Sequence, residues 1–266
     1  HTTQWLIFSD LHVMPTTLAT CLQVLNYIHT TAQTIQSTTS KRTGILFLGD
    51  FWHHRGFVRV DCLNSILDCM KSWKVPSIMI PGNHDQIDWR GVDHALTPLQ
   101  NAYRIPAVVA DSSGGTIRRS ISMHAGPLIL SHPTKFQNAL FVPHIRDKFT
   151  MASILQSNEA LTAKALFIHA DVKGASMNDL IKSQHGLDGN VFPNDDEKCI
   201  YSGHFHKPHV VHVGNKQKRK NGAEVRYVGS PYQTSFSESG QAKSLLLVDS
   251  VQNWKCIQEI PIDIGS

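Results

Sequence analysis

A chain of 266 residues with 41% hydrophobic and 17% charged residues is long enough to bury a sizeable core, which excludes a disordered or fibrous protein and sets the expectation of a single globular domain over residues 1–266. The formal net charge is only +4, so bulk electrostatics do not demand a polyanionic partner and local clusters would have to provide for one. No apolar run is long enough to span a bilayer, and the N-terminus lacks the basic-then-apolar order of a signal peptide, although a start at His1 and not Met leaves a removed segment open.

In chain order, "QWLIFSD" is a short apolar run with a polar stop, and "GILFLGD" and "SIMIPGNHD" repeat the design, so each is predicted to be a buried strand ending in chemistry. Leu18, Leu22, Leu25, Ile28, Ala32 and Ile35 between the first two follow helical spacing, as do Leu63, Ile66, Leu67 and Met70 between the second and third. The Ser/Thr-rich segment 30–43 reads as a helix end and a loop. Strand and helix alternating in this way imply a parallel or mixed sheet with covering helices, with ligands beyond the carboxyl ends of the strands.

From "AVVADSS" through "PLILSHP" to "ALFVPH" short strands separated by Gly, Pro and Ser predict a second, more antiparallel sheet. A helix is expected from Met151 to Leu161, followed by the buried strand "ALFIHAD". "HVVHV" and "AEVRYVG" flank "GNKQKRKNG" and predict a β-hairpin with a basic tip, while "KSLLLVD" and "KCIQEIPID" supply two more strands. Residues 209–266 are expected to complete the second sheet.

Cys21, Cys62, Cys69, Cys199 and Cys256 are odd in number and lack the short spacing of a zinc knuckle or a redox dithiol. Free thiols in a reducing, intracellular compartment are the expectation. Cys62 and Cys69, seven apart on a predicted helix, share one face and point to packing.

The polar residues at the strand ends are Asp10 and His12, Asp50, Asn83 with His84, His169, and His204 with His206 in "SGHFHKPHVVHV". All are oxygen or imidazole donors. This many, of this variety, suit two divalent metals sharing a carboxylate, and manganese, iron or zinc better than calcium.

In this order "DLH", "GD", "GNHD", "H" and "GHFH" resemble the signature of the calcineurin-like metallophosphoesterases over Asp10 to His206. The resemblance implies an α/β fold, a mixed two-sheet β sandwich flanked by helices in four layers, α-β-β-α. It implies Asp10, His12 and His206 on one metal, Asn83, His169 and His204 on the other, and Asp50 bridging them, with Mn2+ the expected ion and Fe or Zn as alternatives.

"GDFWHHRG", "GLDGNVFP", "GHFHKP" and "YVGSPYQTSFSESGQAKSLLLVD" further resemble the SbcD-type nuclease subunit of the double-strand-break repair complex and its phage relatives. That branch pairs a histidine three residues after the bridging aspartate, here His53, with the histidine of the Gly-Asn-His motif, His84. The implied activity is a dimetal phosphodiester hydrolase, a nuclease on DNA or RNA using metal-activated hydroxide, the metals lowering a bound water's pKa to ~7 from about 15.7. His84 is the expected general acid, His53 holds it or the phosphate, and Asp85 orients His84 through its ring N–H. A phosphomonoesterase or small-molecule phosphodiesterase is the first rival, since the motif serves many substrates. A metal-binding interaction module without catalysis is the second, against which intact His53 and His84 argue. The sequence ends soon after "IPIDIGS", which leaves little room for the capping domain and ATPase-binding tail of larger relatives, so an ATPase partner and the oligomeric state stay undecided.

Lys216, Lys218, Arg219 and Lys220 in the hairpin tip, Lys207 beside the metals and Tyr232 in "SPYQTSF" are the candidate substrate contacts. Packing is expected for Phe236. His54, His94, His124, His132, His144 and His185 are expected in core or solvent roles, and His209 and His212 as cross-strand surface residues.

Overall fold

The computed structural model describes residues 2–264 apart from Trp89, 103–125, Asp179 and 215–222. "AVVADSS", His124 and the four basic residues of the hairpin tip therefore lie outside the described residues. The elements are β1 (Gln4–Phe8), α1 (Leu18–Thr39), β2 (Thr43–Phe47), α2 (Val60–Lys71), β3 (Ser77–Met79), α3 (Thr97–Asn101), β4 (Leu128–Ile129), β5 (Thr134–Phe136), β6 (Ala139–Val142), α4 (Lys148–Leu155), α5 (Asn158–Thr162), β7 (Ala165–His169), β8 (Cys199–Gly203), β9 (His209–His212), β10 (Glu224–Tyr227), β11 (Ser244–Asp249) and β12 (Lys255–Pro261). No helix among the described residues is long and apolar enough to cross a membrane.

Among the described residues two six-stranded sheets form, ordered β12-β11-β1-β2-β3-β4 and β5-β6-β7-β8-β10-β9. Each combines three parallel pairings with two antiparallel ones, so the second sheet is no more antiparallel than the first. Both faces of the central strands are apolar, as the two-residue period of a strand buried on both sides requires. In β1, Trp5 and Ile7 face the other sheet among Leu46, Phe141, Phe167 and Trp254, while Leu6 and Phe8 face α1 and α2 among Val24, Leu25, Ile28 and Ile66. Across the second sheet, Leu140, Leu166 and Ile168 turn outward against Met151 and Leu155 of α4. The result is the layered α-β-β-α sandwich expected from the sequence.

Three local expectations are corrected. "KSLLLVD" and "KCIQEIPID" do not extend the second sheet: β11 lies antiparallel beside β1 in the first, Gln4 opposite Asp249, with β12 outside it. Only the hairpin strands β9 and β10 join the second. The strand of "PLILSHP", β4, runs parallel to β3 in the first sheet. The helix expected over Met151–Leu161 is two helices, because Ser157 caps a new one by accepting from the Ala160 N–H. The Ser/Thr-rich segment is a helix end and a loop, as expected: α1 ends at Thr39, its Thr38 and Thr39 hydroxyls bonding carbonyls one turn back, and Ser40 turns left-handed into the short loop before β2.

β1, β2 and β3 are mutually parallel, and so are β6, β7 and β8, which delivers their carboxyl ends to one rim of the sandwich. The two sheets meet there without room for side chains. A Cβ on Gly203 would strike the Ser9 hydroxyl, the Leu48 carbonyl and the His169 ring, so the end of β8 sits directly against the ends of β1, β2 and β7.

Candidate metal centre

The expected donors lie at the ends of their strands or within a few residues beyond them, and at four the backbone bends sharply to present the side chain. Asp10, His12, Asp50 and His204 all hold left-handed φ, 55°, 48°, 61° and 98°. Such angles are uncommon outside glycine and are kept only where surroundings enforce them, characteristically at functional sites. Gly82 supplies the complementary absence: a Cβ there would collide with the Asp50 carboxylate and backbone and with the His169 ring.

The donors converge as two groups. Asp10, His12 and His206 place ligand atoms within 4.8 Å of one another, and so do Asp50, His169 and His204. Asn83 joins the second group, its Oδ1 2.9 Å from Nε2 of His169 and 2.8 Å from Nδ1 of His204. Asp50 stands between them, with one carboxylate oxygen 3.4 Å from Nε2 of His169 and 3.9 Å from Nε2 of His12. His169 donates from Nδ1 to the Leu48 carbonyl at 2.7 Å, which turns Nε2 toward Asp50 and Asn83.

The electrostatics call for positive charge. Asp10 and Asp50 are 0% and 2% exposed, and buried carboxylates are ordinarily paired or metal-bound. Burial raises the Asp10 carboxyl above its ordinary value. For Asp50, burial raises the carboxyl too, but the His169 imidazole beside it prevails and holds it low. Burial also pulls His12 and His204 down to about 3, so both rings are neutral donors. His169 differs: burial lowers it, yet the neighbouring Asp50 carboxylate raises it to about 9. Nε2 of His12 and Nε2 of His206 face each other at 3.0 Å, and Nδ1 of His12 is buried without a hydrogen-bond partner. Neutral imidazoles, an amide oxygen and two buried carboxylates aimed at common points fit a pair of divalent cations.

His53 and His84 sit on the open side of the first group. Their ring nitrogens and that of His12 fall within 4.8 Å, and their rings stack at 5.7 Å and 24°. The support for His84 is corrected by the structure. Its Nδ1 meets the carbonyl oxygen of His53 at 2.7 Å, whereas Asp85, expected to orient it, accepts instead from the backbone N–H groups of Asp50, Phe51, Trp52 and Gly82 at 2.9–3.0 Å. The Asp85 carboxylate lies on the buried side of the turn, where four amides out-compete one ring. Burial, then the Asp50 charge, push it up to about 7. The backbone N–H of His84 in turn donates to the Asp50 carboxylate at 2.7 Å.

Two aromatic expectations exchange places. Tyr232 is buried in the α1 core, donating to the Leu11 carbonyl at 2.9 Å, and offers no stacking surface. Phe236, expected to pack, is fully exposed on the turn Phe236–Glu238. Lys207 is half-buried directly after His206. His54, His132 and His185 are exposed, and buried His94 bonds the Ser131 hydroxyl at 2.7 Å. His212 is a surface residue beside Glu224, but His209 packs flat on Tyr227 at 4.7 Å and accepts from the Ser176 N–H. All five cysteines are free thiols.

Sequence reasoning missed His144 and Glu238. The His144 ring lies parallel to His204 at 6.4 Å and edge-on to His169 at 5.8 Å, and burial lowers it to about 4. It ends "ALFVPH", a buried strand stopping in a polar residue like those that did lead to the site. Glu238 reaches Nδ1 of His206 from 32 positions away at 3.2 Å, a pairing that no local pattern announces.

No curated protein sequence matches the chain. Among solved structures, the crystal structure of TT1561 of Thermus thermophilus is similar over 100% of both chains, with 12% identity and a TM-score of 0.52, a likeness of fold alone. The sequence of residues 4–208 matches the model of the calcineurin-like phosphoesterases. That span runs from β1 past His206, and with the two donor groups it encloses it shows that the chain belongs to the calcineurin-like phosphoesterase family.

Proposed function

We propose that the protein is a dimetal phosphodiester hydrolase whose substrate is a polynucleotide. The observation that carries this reading is the separation of roles at the rim. Six His and Asp donors gather in two groups with Asn83 against the second and Asp50 between them, and His53 and His84, only partly buried, stand beside the first group. Two divalent cations held there would neutralise phosphoryl oxygens and acidify a coordinated water. His84, anchored through Nδ1–H to the His53 carbonyl, turns Nε2 outward, from which its imidazolium form would protonate the leaving oxygen, and the His53 imidazole stacked on it would face the same phosphate. Resemblance of "GSPYQTSFSE" to the SbcD-like branch and the basic tip "NKQKRKNG" favour nucleic acid over small diesters. The rival, a phosphomonoesterase or nucleotide phosphodiesterase, gains from the burial of Tyr232, which removes one expected base-stacking surface.

Cleavage of DNA, RNA and a nucleotide panel with Mn2+ tests the proposal, together with the salt dependence of binding. Each phosphate neutralised contributes a log–log slope of about −0.9 on duplex or about −0.7 on single strands. Replacing Lys216, Lys218, Arg219 and Lys220 by Ser should weaken nucleic-acid binding and flatten the slope while sparing a small diester. A flat slope in the wild type, with vigorous turnover of nucleotides or monoesters, overturns the nuclease reading in favour of its rival.

A further inference from the structure

His206 is gripped at both ends by a segment that the sequence places far from it. Its Nδ1 lies 2.7 Å from the Thr234 hydroxyl and 3.2 Å from Oε1 of Glu238. Its carbonyl accepts from Nζ of Lys243 at 2.9 Å and from the Ser230 N–H at 3.0 Å. Glu238 and Lys243 are themselves an ion pair of 2.7 Å, 5% and 7% exposed. The Glu238 oxygens also accept from the hydroxyls of Ser230, Thr234 and Ser235 and from the Thr234 N–H.

Proton accounting decides the state of the ring. The Thr234 hydroxyl has one hydrogen, and Glu238, flanked by Lys243 and ringed by donors, is an ionised acceptor that takes it. Toward His206 the Thr234 oxygen has only a lone pair left, as has Oε1 of Glu238. Nδ1 of His206 must therefore carry the proton, which leaves Nε2 with the free lone pair, and Nε2 is the atom that faces His12 and the Asp10 group. We propose that Glu238, directly and through Thr234, is the positioning residue that fixes this tautomer and aims Nε2 of His206 at a divalent cation shared with Asp10 and His12.

A purely structural role explains the arrangement poorly. A buried ion pair is weak evidence for stability, because desolvating both charges offsets their attraction, and apolar groups of similar size often serve as well. Here the pair is spent on one histidine, with the carboxylate on its ring and the ammonium on its backbone. A carboxylate behind a ligating imidazole fixes orientation and raises donor strength, and losing such a partner costs about 10- to 100-fold in metal affinity.

The proposal rests on the dimetal reading, so its test reads the ring as well as the metal. In uniformly 15N-labelled, metal-free protein, long-range 15N–1H correlation, with the His206 signals identified by their absence in His206→Asn, reports the tautomer directly. Wild type should show Nδ1–H. Glu238→Leu/Lys243→Met, which replaces the pair by apolar groups and leaves no buried charge unpartnered, should shift His206 toward Nε2–H, as should Thr234→Val in part. Titration with Mn2+ should show one of two affinities falling about 10- to 100-fold in the double variant and the other holding within about twofold. Persistence of Nδ1–H with both affinities unchanged overturns the proposal. If the wild type takes up no Mn2+, the dimetal reading fails instead, and the tautomer alone decides whether Glu238 orients His206.

Discussion

Nδ1 of His84 and the carbonyl oxygen of His53 are 2.7 Å apart, and since a carbonyl can only accept, the proton of that contact belongs to His84. Nε2 is then the nitrogen left to exchange a proton with substrate. His84→Ala should lower turnover of a phosphodiester by about 10²- to 10⁴-fold, the range for loss of a general acid, while two metal equivalents stay bound. Metal content and rate measured on one preparation check this, and loss of a metal equivalent contradicts the assignment.

Asp50 touches both donor groups, whereas His206 belongs to one. Asp50→Ala should therefore reduce occupancy at both cation positions, and His206→Ala chiefly at one. Calorimetric titration with Mn2+ distinguishes them, and equal single-site losses in the two variants refute a bridging role for Asp50.

Asp85 satisfies four buried amides with two oxygens. Asp85→Asn turns one of those oxygens into a donor that faces donors, stranding two N–H groups at about 1–3 kcal/mol each. At about 2–4 °C per kcal/mol for a domain of this class, Tm should fall by at least several degrees, and the Asp50 turn should lose its shape and its metal affinity together. An unchanged Tm shows that the amides find other partners.

Away from the site, Nε2 of His29 accepts from the Lys74 N–H at 3.0 Å, and the ring lies parallel to Trp73. Burial, and secondarily the Lys74 ammonium, hold its pKa below the ordinary 6.5. A base depressed in the folded state binds fewer protons there than when unfolded, so its contribution is complete above pH 6.5 and erodes as pH falls from 6.5 toward the folded value. The difference in Tm between wild type and His29→Gln should shrink over that acid window and stay constant between pH 7 and 8, which thermal scans at stepped pH would reveal.

The rim residues were legible because each is announced locally: an apolar strand stops, and the next polar side chain belongs to the site. Asp50, Asn83 and His204 follow that rule, His169 is itself the last residue of β7, and Asp10 comes one place later, after Ser9. What a residue touches was legible only where its partner is near in sequence. "SLLLVD" is equally apolar on both faces, so nothing in it distinguishes a place beside β1 from a place in the other sheet; that depends on the pairing of Gln4 with Asp249. Asp85 read as an orienter of the adjacent His84 because the four amides it serves become visible only once the turns at Asp50 and Gly82 are folded. Tyr232 and Phe236 were exchanged because two aromatics four apart in a Ser-rich loop carry no period that says which one turns inward.

The position of β11 has a consequence during biosynthesis. β1 lies between β2, made about forty residues later by the register of Gln4 with Thr43, and β11, which presents Asp249 to the same residue. Until Ser244–Asp249 have left the ribosome, "QWLIF" has one flank of bare N–H and C=O groups and apolar side chains on both faces. An open apolar edge of this kind invites pairing with other chains. The nascent protein thus passes through a long interval in which its N-terminal half is helically covered yet laterally unprotected, and a holdase or slow translation at low temperature should raise the yield of native protein more than any change at the metal site.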